Sequence, residues 1–118
     1  MRALTLPVLF IATLLAAQTG PGGVGSSATN VIWLSADQGV YNNAGTTFAG
    51  NGDNVRQWND RSGNARHAGE ANVANRPNLA TAVLNGRPVV RFTAAHNDRL
   101  VSTGLTTADQ ASAWVVTR

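Results

Sequence analysis

The chain has no cysteine, no lysine and a single glutamate, Glu70. Without cysteine there can be no disulfide framework, no thiolate metal site and no thiol acceptor for a lipid anchor behind a leader. A fold exported from the cell would then rest on core packing alone. The aspartates stand far apart, at positions 37, 53, 60, 98 and 109, so the sequence lacks the clustered acid pair that glycoside cleavage calls for. Charged residues make up only 13% of the chain, and the net charge of +3 comes entirely from an excess of arginine. The arginines at 56, 61, 66, 76, 87, 91 and 99 stand singly, with no basic run or aromatic-interleaved stripe, which argues against a nucleic-acid partner. With no cysteine and no close histidine partner, His67 and His96 lack metal-ligand spacing and read as solvated or half-buried strand and turn residues.

What is present begins with Met1-Arg2 and an uncharged apolar run at residues 3–17, ALTLPVLFIATLLAA. A short positive start followed by such a run predicts a secretory signal peptide over residues 1–17, with cleavage between 17 and 28. The run is shorter than the roughly 20 residues that span a bilayer, and Pro7 interrupts it. An uncleaved membrane anchor is the alternative; after cleavage no segment is expected to enter a membrane. Residues 18–29, QTGPGGVGSSAT, are Gly, Ser, Thr and Pro-rich and predict a linker. The folded part is expected over residues 30–118.

No 3.6-residue apolar period follows the leader, so the mature part reads as all-β, with short strands and turn-rich connections. Residues 30–36, NVIWLSA, predict a buried first strand, stopped by Asp37-Gln38-Gly39. Residues 42–54, NNAGTTFAGNGDN, predict a long loop in which Phe48 tucks one end against the core. Residues 58–68, WNDRSGNARHA, place a tryptophan before a run of residues that bond their own backbone or tolerate positive φ, predicting a self-closed turn pinned to a β core. Pro77 holds Arg76 extended and cannot donate to a ladder, which suits an edge or a connection. Asn85-Gly86 between two β-favouring runs predicts a two-residue hairpin. A turn at 96–98, a short strand at 99–101 and a final strand at 112–118 complete the series.

In this order the pieces resemble the LamG-like jelly-roll domains of the concanavalin A-like lectin/glucanase superfamily. Ile32-Trp33-Leu34-Ser35-Ala36-Asp37 resembles the opening strand, and residues 55–64, VRQWNDRSGN, resemble the tryptophan and turn signature. Residues 74–77, ANRP, resemble the arginine-proline step, while residues 85–92, NGRPVVRF, resemble the hairpin with its second strand, and residues 97–100, NDRL, the turn after that strand. Ala65 departs from the pattern where a glycine often stands, which puts positive φ there in doubt. The resemblance implies an antiparallel β-sandwich of jelly-roll type, incomplete at the C-terminus, because some six strands fall short of the eight such a fold needs.

Functionally, these readings point to a secreted or surface-exposed, non-catalytic recognition or adhesion module for carbohydrate or protein. The rivals are the front part of a glycan-active enzyme whose catalytic residues lie beyond residue 118, and a structural spacer. Calcium is the expected cofactor, with Asp53, Asp60 and Asn64 as candidate oxygen ligands in two loops. Against it, Asp60 and Asn64 can instead close their own turn through backbone hydrogen bonds. Trp33, Trp58 and Trp114 sit in apolar runs and are expected in the core. That leaves Tyr41 as the surface aromatic and, with Asn59, the candidate ligand contact.

Overall fold

The structure, a computed structural model, describes residues 20–23, 26 and 29–105. The expected signal peptide and the expected last strand, with Trp114, lie outside the described residues. Of the expected linker, Pro21–Gly23 forms a single 3-10 turn. The described chain is all-β: its strands pair in antiparallel sheets with no α-helix, and no helix among the described residues is long and apolar enough to cross a membrane.

Six strands are present among the described residues: β1 (Val40–Tyr41), β2 (Gln57–Trp58), β3 (Ala68–Gly69), β4 (Asn78–Leu84), β5 (Arg87–Arg91) and β6 (Val101–Ser102). Four of them form a narrow sheet in the order β1-β2-β3-β6, two residues per strand, with Val40 opposite Trp58 and Trp58 opposite Ala68. Because each strand is so short, side chains and loops supply much of what a longer ladder would. Ser102 Oγ donates to the Arg66 carbonyl at 2.8 Å. Arg99 pairs with Glu70 at 2.7 Å and binds β6's approach to the loop after β3.

β4 and β5 form the hairpin that Asn85-Gly86 announces. Asn85 (φ 50°) and Gly86 (φ 77°) both take positive φ, the conformation whose twist matches the flanking strands. The register runs from Asn78 opposite Arg91 to Ala80 opposite Val89, then resumes with Leu84 opposite Arg87. Residues 81–83 therefore face Pro88 alone, and Pro88 has no N–H to give, so the ladder bulges where it cannot be satisfied. Ala82 takes φ 56° at this bulge, and the Thr81 amide turns to Asn51 Oδ1 at 2.9 Å.

Residues 52–55 join the two sheets. Val55 N–H donates to the Pro77 carbonyl at 2.7 Å, Leu79 N–H to the Asp53 carbonyl at 2.9 Å, and Gly52 N–H to the Leu79 carbonyl at 2.7 Å. Pro77, expected at an edge or a connection, occupies a fully buried connection leading into β4. Arg76 is extended (φ −88°, ψ 132°), and its guanidinium donates to the carbonyls of Glu70 and Ala71. The core between the sheets is small: Val40, Val55 and Leu79, flanked by Ala49, Trp58, Val90 and Leu100.

Three expectations are corrected. Residues 30–36 do not form a ladder strand; the segment makes only an isolated bridge between Ser35 and Gln38. Its backbone groups bond instead to the turn at 60–66. Arg61 N–H donates to the Trp33 carbonyl at 2.8 Å, and Asn64 Nδ2 and Arg66 Nη1 donate to the Val31 carbonyl. Phe48 does not tuck against the core but is 68% exposed, stacked on Tyr41. Ala65 does adopt positive φ, at 56°, despite its Cβ.

Candidate functional site

The turn after Trp58 is built around one buried carboxylate. Asp60 is 8% exposed, and its Oδ1 accepts from the amides of Trp33 and Ser62, both at 2.8 Å. Its Oδ2 accepts from Ser62 Oγ at 2.7 Å and from the Arg66 amide at 3.1 Å. Burial pushes the Asp60 carboxyl upward, but the donors from Ser62, Trp33 and Arg66 together outweigh it and hold the group below the usual carboxylate range. The ring is closed by the Asp60 amide, which donates to His67 Nδ1 at 3.0 Å, and by Trp58 Nε1, which donates to the Ser35 carbonyl at 3.0 Å. Arg61 lies over the Trp33 ring, 4.2 Å from its centroid.

Of the three expected calcium ligands, the structure brings two together and leaves the third elsewhere. Asn64 Nδ2 and Asp60 Oδ2 meet at Ser62 Oγ. Asp53 instead closes its own loop, where its Oδ2 accepts from the Gly50 amide at 2.8 Å and from Asn42 Nδ2 at 3.2 Å. Those two donors, the Gly50 amide foremost, lower the Asp53 carboxyl below its ordinary value. Among the described residues no hydrogen bond joins Asp53 to the Asp60 turn, and no three His, Cys, Asp or Glu side chains converge as a metal group would. With two hydrogen bonds on each oxygen, Asp60 is occupied as a structural acceptor.

A different place offers open space. A cleft of about 460 Å³ opens beside β1, within the size range of small-ligand sites, roughly 300–1,000 Å³. It is lined by the buried Val40 and Leu79, by Ala49, by the polar Asp37 and Gln38, and by the rings of Tyr41 and Phe48. The two rings stack at 4.8 Å between centroids with 20° between planes. The loop that presents them is closed from within. Asn43 Oδ1 accepts from the amides of Thr46 and Thr47 at 2.9 Å, and Asn43 Nδ2 donates to both their hydroxyls. Asn42 N–H donates to the Thr47 carbonyl, and the Ala49 amide to the Val40 carbonyl, which sets Phe48 opposite Tyr41.

The chain matches no family model, no curated protein and no solved structure.

Tyr41, the expected ligand contact, does line the cleft. Asn59 does not: its Oδ1 accepts from Gln57 Nε2 at 2.7 Å, and its Cβ lies where a Cβ on Gly39 would come within 3.0 Å. Gly39, at φ 71°, can therefore be replaced only by moving the Asp60 turn. Sequence reasoning missed Phe48, Asp37 and Gln38 as wall residues. The signal for Asp37 and Gln38 was their place at the end of an apolar run beside Tyr41; for Phe48 it was a lone aromatic inside an Asn, Gly and Thr loop, where few apolar neighbours exist to bury it. Asp37 accepts from Ser35 Oγ, and chiefly for that reason its carboxyl lies below the usual range.

Proposed function

We propose that the chain is a non-catalytic recognition module on a jelly-roll β-sandwich of the LamG-like kind, exported to the cell surface or beyond, which binds carbohydrate or protein through the cleft beside Tyr41. The observation that carries this reading is the stacked Tyr41–Phe48 pair on the wall of a cleft of about 460 Å³, presented by a loop already closed by its own hydrogen bonds. An exposed ring held rigidly loses little freedom on binding, so its contact area goes to affinity.

Chemistry on the ligand finds less support. General acids in sugar cleavage need a carboxyl raised toward neutrality, whereas Asp37, Asp53, Asp60 and Glu70 are all lowered. The nearest thing to an unsatisfied acid oxygen is Asp98 Oδ1, buried without a partner, but Asp98 Oδ2 accepts from the Thr93 amide at 2.8 Å and the group closes its own turn.

The test is to screen the whole chain against a glycan array and a set of extracellular proteins, with Tyr41→Ala as the comparison and far-UV circular dichroism as the control for folding. Binding that weakens at least tenfold in Tyr41→Ala, with the ligand recovered unchanged by mass spectrometry, is the expected result. Cleaved ligand, or equal binding by the folded variant, would overturn the reading.

A further inference from the structure

We infer that the Tyr41–Phe48 cleft takes a neutral sugar ring and turns away acidic ones. This rests on the reading of the cleft as the recognition site and adds the class of ligand. Three features of the cleft carry it.

The first is the platform. Phe48 is 68% exposed although it stands directly opposite Tyr41, so one face of its ring is covered by tyrosine and the rest is left to solvent. A flat apolar face in a cleft that also carries polar side chains fits a pyranose, which presents C–H groups on one face and hydroxyls around its edge. An apolar peptide side chain would instead favour a closed apolar pocket.

The second is the polar lining. Asp37 and Gln38 carry a carboxylate and an amide, acceptors and a donor that can pair with neighbouring hydroxyls of one ring. Asp37 is the charged side chain among the described residues that line the cleft, and it is exposed. Arg61 and Arg87 come close enough to favour its ionised form, but neither lines the cleft, and Arg61 is engaged over Trp33. A uronate or sialate carboxylate entering here would meet Asp37 with no cation among the lining side chains to pair with. Like charges at close range cost affinity, and this is how a site excludes a near relative of its ligand.

The third is rigidity. Gly45 packs against Gln57, where a Cβ would come within 2.8 Å of Nε2, and Asn43 ties Thr46 and Thr47 from both ends of its amide. The platform is therefore in place before any ligand arrives.

The experiment titrates the whole chain by calorimetry with cellohexaose, xylohexaose and mannohexaose as neutral probes and hexagalacturonate as the acidic probe. The same titrations are run on Phe48→Ala and Asp37→Asn, both changes at exposed positions. The expected result is saturable binding of at least one neutral probe, weakened about tenfold in Phe48→Ala, and binding of hexagalacturonate that is about tenfold weaker than the neutral probe and recovers in Asp37→Asn. Hexagalacturonate binding as tight as the neutral probe, with Phe48→Ala weakening both, overturns the preference for neutral sugars while keeping the cleft as the recognition site. Neutral binding untouched in Phe48→Ala overturns the platform. No binding of any glycan overturns the ligand class and leaves a protein ligand to the proposed function; its failure there would show separately in the Tyr41→Ala comparison.

Discussion

The turn at residues 59–67 and the turn at Asn85-Gly86 both reverse the chain, yet they are closed by different means. At Asn85-Gly86 two positive φ angles suffice, the residues are exposed, and the hydrogen bonds are those of the flanking ladder. At 59–67 a buried carboxylate gathers four donors, one of them the amide of Trp33, 27 residues away in sequence. The first turn is a property of a dipeptide. The second is a property of two segments that must meet, and in meeting it serves residues 30–35 as a neighbouring strand would. Where the central apolar cluster among the described residues is as small as Val40, Val55 and Leu79, charge can take over a task usually given to sheet.

Breaking the carboxylate should have the largest effect. Asp60→Asn keeps the shape but turns an N–H₂ group toward donors, leaving at least one of the amides of Trp33, Ser62 or Arg66 unpaired in a buried place. A loss of about 3 kcal/mol is expected from urea denaturation, with the near-ultraviolet signal of Trp33 altered; a loss below about 1 kcal/mol would show that water substitutes freely.

Acid offers a gentler break. The folded values of Asp37, Asp53, Asp60 and Glu70 are all lowered. Their contribution is therefore complete above the unfolded carboxylate values and is lost as pH falls through the folded ones. The carboxylates' share of the melting temperature should be level above about pH 5 and decline below about pH 4. Asp60→Asn should decline less steeply over the same acid range, and an equal slope would place the acid sensitivity elsewhere.

The smallest effects concern backbone strain in the two turns. Gly86→Ala puts a Cβ into positive φ and should cost about 1 kcal/mol, whereas Ala65→Gly relieves the same strain in the carboxylate turn and should gain about 0.5 kcal/mol by thermal or chemical melting. If Ala65→Gly destabilises instead, the Ala65 methyl makes a contact that outweighs its strained backbone.

Much of this was legible in the sequence, and the limits come from range. The all-β character and the Asn85-Gly86 hairpin are written in residues adjacent in the chain. So is the closing of the Asp60 turn through Ser62, because both partners lie within two positions. The reach of that turn to Val31 and Trp33 could not be read, since an apolar run such as residues 30–36 looks the same whether a strand or a side chain serves its backbone. Phe48 misled for a related reason: an aromatic in a polar loop is buried only if the core extends to it, and here it ends at Ala49. The cleft was half legible, as Tyr41 was singled out by its setting, while its partners lie on three separate stretches that only the fold assembles.

The Asp60 carboxylate has a kinetic consequence as well. The amide of Trp33 belongs to no ladder and is held by Oδ1 alone among the described contacts. Its exchange with deuterium should therefore track the detachment of residues 30–35 from the rest of the molecule, not the opening of either sheet. That one amide reports on how often the leading segment peels away, and it does so on a clock set by a single proton.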